Sequence, residues 1–133
     1  MGSELRLAIT SDADVIAARQ RGRELAAQHG FTAGDQTVIA VAISEIARNI
    51  VRYAKAGEVV LRTINSANRM GIVVIARDQG PGIRDVELAL QDGYSTSGGL
   101  GLGLPGARRL VDEFDITSEV GKGTTVTMKK WRT

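Results

Sequence analysis

The chain has 133 residues, 43% hydrophobic and only 4% aromatic, with no cysteine, one histidine and a formal charge of +2. One domain with an aliphatic core is expected; disulfides, thiolate centres and multi-histidine metal sites are excluded, and so small a charge argues against nucleic acid as a partner. No apolar stretch approaches the length that spans a bilayer, and Met1 to Arg6 lacks the apolar block of a signal peptide, so a cytoplasmic protein with no membrane partner is expected.

Leu5, Leu7 and Ile9 alternate with polar or small residues, the period of a half-buried strand. Ser11, with Asp14 three residues on, marks a helix start. Val15, Ala18, Gly22, Leu25 and Ala26 share one face of that helix, and Gly30 stops it. His29, just before the stop, reads as a solvated or capping residue. A second helix is predicted from Thr32 or Asp35 to about Ala54, broken by Gly57. Its run Val38 to Ile43 is almost wholly apolar, as in a helix buried on most sides. Val59, Leu61 and Thr63 read as a strand, Asn65 to Arg69 as a turn, and the β-branched run Gly71 to Ala76 as a central strand.

From Gln79 to Gly106 the chain turns glycine-rich and holds both of its prolines. A loop of that length is usually functional or mobile. A short helix is expected near Val86 to Leu90 and another over Ala107 to Glu113, with Pro105 just ahead, where a missing N–H costs little. Phe114 to Ser118 and Thr124 to Met128 read as a closing hairpin turned at Gly121 to Gly123. Lys129, Lys130 and Arg132 read as a solvated end, and Trp131 as packing. The order β-α-α-β-β-loop-α-β-β predicts an α/β (α+β) two-layer sandwich, a largely antiparallel mixed sheet with helices on one face.

Three polar clusters stand out against this scaffold. Glu45 and Asn49 are one turn apart on the apolar second helix, with Arg52 three further along, and spacing does not rank Arg19, Arg48 and Arg52 between the nucleotide, a client and nearby acids. An unpaired buried carboxylate is very costly, so an internal Glu–Arg pair is one reading. The other gives Asn49 a magnesium ion, which takes few protein ligands, and gives Glu45 an attacking hydroxyl to polarise. Asp78 ends the central strand before Gly80, Pro81 and Gly82. That is a plain turn, or an adenine reader: a carboxylate accepts from adenine's exocyclic amine, whereas guanine would oppose it with a carbonyl. Thr124 is placed to donate to the same carboxylate or to a bridging water.

Gly99, Leu100, Gly101, Leu102 and Gly103 form the third cluster. Alternating leucine is unusual in a flexible linker, while glycines let several backbone N–H groups converge on a phosphate ahead of a helix. The strand and acidic residue of a Rossmann site are missing, as is the Gly-Lys-Ser/Thr ending of a Walker loop. Tyr94 to Ser97, just before, read as ordinary loop polarity or as a lid.

In this order and spacing the motifs resemble the GHKL family of ATPases and kinases. Glu45 to Asn49 is similar to its N box, Asp78 to Gly82 to its first glycine box, Gly99 to Gly103 to its second, and Gly123-Thr124 to its later Gly-Thr element. Within the family the chain resembles the anti-sigma-factor serine/threonine kinases, and more closely the switch kinases of the stressosome. Ala17 to Gln20, Ile43 to Ile50 and Asp92 to Gly101 carry that closer likeness. The resemblance implies a Bergerat-type fold, ATP with Mg2+, Asn49 as metal ligand, Glu45 as catalytic base, Asp78 as adenine reader, and contacts from Gly80, Gly82, Gly99, Leu100, Gly101, Leu102, Gly103 and Thr124. It also implies STAS-domain scaffold or antagonist proteins as substrates and a PP2C-type phosphatase as the activated target. The Leu104-Pro105-Gly106 step departs from many relatives, which run straight into helix there. No dimerisation segment with an acceptor histidine precedes the site and no transducer follows Thr124, so action on a separate protein is expected. The competing expectation is an ATP-gated binding switch with little catalysis.

Overall fold

The structure, a computed structural model, describes residues 4–83 and 103–133. The expected helix at Val86 to Leu90, the Tyr94 to Ser97 stretch and Gly99, Leu100, Gly101 and Leu102 lie outside the described residues.

Strand β1 (Glu4–Ile9) leads into helix α1 (Asp12–Gln28). Ser11 caps the helix by accepting from the Asp14 N–H at 3.3 Å, satisfying one of its free donors. Asp14 reaches back in turn. The Thr10 backbone N–H and hydroxyl, each 2.9 Å from Asp14 Oδ2, hold that carboxyl below the usual carboxylate range. A lowered folded value stabilises at pH above the unfolded pKa, about 3.9, and that contribution is lost on acidification below it. Asp14→Asn is therefore expected to flatten the acid limb of a plot of melting temperature against pH.

Val15, Ala18, Gly22, Leu25 and Ala26 are buried, as their spacing predicts. Thr32 caps helix α2 (Ala33–Asn49), whose buried face includes Ile39, Ile43, Ile46 and Ala47. The helical path runs to Ala54 as expected, but Ile50–Ala54 is a π turn. Lys55, at φ 71°, and not Gly57, ends it. Such wide turns gather at functional sites, and this one begins directly after Asn49.

Strands β2 (Gly57–Ser66) and β3 (Arg69–Asp78) are longer than predicted. They meet in a tight turn at Ala67 and Asn68, with φ 49° and 69°. Two successive positive φ values match the strand twist, and the turn lies within the expected Asn65 to Arg69 but is tighter than that span, which holds no glycine to mark it. Helix α3 (Gly103–Leu110) begins and ends earlier than predicted and takes in Pro105, while Glu113 opens β4 (Glu113–Glu119). Strand β5 (Gly123–Trp131) completes the hairpin.

The sheet order is β1-β2-β3-β5-β4, and all four pairings are antiparallel. Ile9, Val59, Leu61, Ile72, Val74, Val126 and Met128 join the buried helix faces in one core. Val60, Val73 and Ile75 form a smaller cluster on the sheet. The C-terminal bases are not a solvated end. Lys130 lies 3.6 Å from Asp112 and 3.9 Å from Asp35, and Arg132 donates to the His29 carbonyl at 2.8 Å. Pairing of β5 with β3 out to Trp131 brings these side chains against the helices.

Candidate functional site

Glu45 lies on the buried face of α2, its side chain only 7% exposed. A carboxylate in that position needs donors, and it has two. Arg48 Nη1 donates to Oε2 at 2.7 Å, and the Gly103 N–H donates to Oε1 at 2.7 Å. The Glu–Arg pair foreseen along the helix therefore forms, with Arg48. The second bond spans 58 residues of sequence and sets the carboxylate against the first turn of α3, the positive end of that helix. The last glycine of the second glycine box is thus joined to the N box.

Asn49 closes α2 one turn beyond Glu45. It is half-buried, and its amide makes no hydrogen bond among the described residues. Asp78 closes β3. Its Oδ1 accepts from the Gly80 N–H at 2.9 Å, so the turn expected of this sequence exists. Its other oxygen makes no hydrogen bond among the described residues. The turn takes one oxygen only, so a ligand contact through the other would not compete with it.

Two close backbone approaches bring the strand end to the helix end. A Cβ on Gly80 would stand 2.5 Å from the Ala54 Cβ, and one on Gly57 would stand 2.8 Å from Ile50 Cγ2 and 3.1 Å from the Asp78 Cβ. A larger residue at Gly57 would press on both the Asp78 side chain and the π turn that follows Asn49, and one at Gly80 would press on the end of that turn at Ala54. Gly82 is constrained differently, with φ +78° and the Glu119 carbonyl in the space of a side chain. Gly82→Ala is expected to cost about 1–3 kcal/mol in backbone strain, more once the clash is added, and to lower the melting temperature in a thermal scan.

Thr124 pairs with Asp78 across β5 and β3. Its hydroxyl lies 2.8 Å from the Ser118 hydroxyl. Ser118 also accepts from the Ile83 N–H at 2.7 Å and donates to the Gly123 carbonyl at 3.2 Å. It ties the end of the first glycine box to the Gly-Thr element. The sequence carried a signal for it: Phe114, Ile116 and Ser118 share the inward side of β4, and a hydroxyl in that register needs partners.

These groups suit a magnesium–nucleotide complex. Asp78 offers one acceptor at a strand end, and Asn49 offers a neutral oxygen. No cluster of three or more His, Cys, Asp or Glu exists among the described residues, so a metal beside Asn49 would complete its shell with water and phosphate oxygens, as magnesium does. No helix of the described residues is long and apolar enough to cross a membrane.

A family profile described as a histidine kinase-like ATPase domain matches residues 9–130. Serine/threonine-protein kinase RsbT of Bacillus subtilis (strain 168) is 46% identical over 98% of this chain and 98% of its own length. An anti-sigma F factor of Caldanaerobacter subterraneus subsp. tengcongensis is 35% identical over 80% of this chain and 77% of its own. Among solved structures, the mycobacterial sensor histidine kinase MprB overlays with a TM-score of 0.58 at 15% identity, covering 99% of this chain and 98% of that one. At that identity the likeness speaks for the fold alone.

Proposed function

The chain belongs to the histidine kinase-like ATPase domain family, and from that premise we propose that it is an ATP-dependent protein serine/threonine kinase acting as a partner switch in a stress-signalling pathway. Its clients in this reading are STAS-domain scaffold or antagonist proteins. Release from the scaffold frees it to activate a PP2C-type phosphatase, and its place of work is the cytoplasm. The observation that carries the reading is the Glu45 carboxylate, buried and held between Arg48 and the Gly103 amide. A pure nucleotide-binding module has no need of a buried, charged base there.

Phosphoryl transfer asks a protein mainly for positioning and charge neutralisation. Bound Mg2+–ATP supplies the γ-phosphoryl group and the metal charge that screens it. Asp78 orients the adenine through its unused oxygen. Asn49 holds the metal through its amide oxygen. In this reading the phosphates take backbone N–H groups from Gly99 and Gly101, while the Gly103 N–H stays with Glu45 Oε1. Glu45 takes the proton of a serine or threonine hydroxyl as that oxygen bonds to phosphorus and ADP leaves.

The anti-sigma F factors among the relatives favour a second reading, in which ATP gates a binding surface and catalysis is slight. Incubation of the pure protein with γ-labelled ATP and a candidate STAS-domain protein separates the two. Acid-stable phosphoserine or phosphothreonine on the client is expected. ATP-dependent capture of the client with no label transferred favours the switch.

A further inference from the structure

Arg48 enters the reading above only as a partner of Glu45, with no step of its own, yet it makes one of the shortest side-chain contacts in the described residues. We propose that Arg48 is a positioning residue for phosphoryl transfer, fixing the plane of the Glu45 carboxylate through Oε2 while the Gly103 amide fixes it through Oε1. The inference rests on Glu45 acting as the base.

An exposed ion pair three residues apart on a helix contributes little, because both partners remain in water. This pair is unlike that. The acid side chain is 7% exposed and its arginine 40% exposed, so the carboxylate depends on its donors and the guanidinium can supply charge from the rim. Each donor takes a different oxygen. With one removed, the carboxylate turns freely about its last torsion, which is broad and weakly preferred. With both in place its plane is set. An ionised carboxylate offers about four acceptor positions, so two remain to meet a substrate hydroxyl. Reactions that depend on alignment lose heavily from small displacements of the reacting groups.

The test measures kcat and nucleotide affinity separately. Arg48→Ala and Arg48→Met are compared with wild type, Met because it keeps much of the length of the aliphatic stem without the charge. Both are expected to lower kcat on the order of tenfold to a hundredfold while ATP affinity stays near wild type, and both are expected to melt somewhat earlier, since the buried carboxylate keeps only its Gly103 donor. Arg48→Lys, which returns a charge without the planar fork, is expected to recover part of the loss. In a Glu45→Gln background the Arg48 substitutions are expected to change nothing further, because the group they position is gone. Wild-type kcat in both Arg48 variants overturns the inference. So does an undiminished loss in the Glu45→Gln background, or a loss confined to ATP affinity. A wild-type protein that transfers no label to any client removes the kinase reading itself, and this inference with it, whereas active wild type with indifferent Arg48 variants removes only the inference.

Discussion

Glu45→Gln is expected to lose phosphoryl transfer on the order of 10²–10⁴-fold, the usual worth of a positioned general base, while its ATP affinity holds. The glutamine is the informative choice because of what Glu45 touches. Its side-chain oxygen can still accept from the Gly103 N–H, now 2.7 Å from Glu45 Oε1, so the tie between α2 and α3 survives, although its NH2 takes the place of Oε2 and cannot accept from Arg48. Its amide cannot take a proton from a hydroxyl. Glu45→Ala removes both functions, and leaving a buried donor without a partner costs about 1–3 kcal/mol. The alanine variant should therefore melt earlier than the glutamine variant while both are equally inactive. Steady-state transfer assays, equilibrium ATP titrations and thermal scans on the two proteins check this. Near wild-type transfer by Glu45→Gln would remove the residue from the chemistry.

Asp78→Asn is expected to strike binding and not transfer. The Gly80 N–H, 2.9 Å from Oδ1, selects which end of the new amide faces the turn, because only its oxygen accepts. The amide NH2 is then left facing the adenine amine, donor against donor. An unsatisfied buried polar group costs about 1–3 kcal/mol, or about 5- to 150-fold in Kd. Saturating ATP should restore most of the transfer rate. The preference for ATP over GTP should shrink as well, since the asparagine can donate to the guanine carbonyl. Calorimetric titration with both nucleotides measures this, and unchanged ATP affinity would contradict the adenine assignment.

The fold was legible where one physical signal dominated. The face Val15, Ala18, Gly22, Leu25 and Ala26 and the apolar run of β3 were readable because burial imposes periodicity and composition together. The Ser11 cap was readable from a single side-chain chemistry, whereas spacing left the second helix start between Thr32 and Asp35, and Thr32 caps it. The π turn after Asn49 was not, because its residues Ile50, Val51, Arg52, Tyr53 and Ala54 suit an ordinary helix equally well. The bounds of α3 were misplaced because proline was read as lying before the helix, while Pro105 sits in its first turn. The strapping of Lys130 and Arg132 was hidden for another reason: their partners Asp35, Asp112 and His29 are distant in sequence and carry no local signal.

The candidate site divides along the same line. Residue types at fixed spacing pointed to Glu45, Asn49 and Asp78. The contacts that join them are tertiary: Glu45 to Gly103, Gly80 against Ala54, and Asp78 across from Thr124. Sequence spacing also left Arg19, Arg48 and Arg52 equivalent. Only the folded chain separates Arg48, by its bond to the Glu45 carboxylate. Ser118 went unnoticed because it belongs to none of the motifs, although its inward register on β4 was available.

The most direct measurement is a crystal structure with Mg2+ and a non-hydrolysable ATP analogue. The expected map places the adenine amine within hydrogen-bond reach of the Asp78 oxygen that the turn leaves unused, the metal on Asn49, and the phosphates toward the first turn of α3. A purine seated away from Asp78, with its phosphates remote from Asn49 and Gly103, would contradict the site described above.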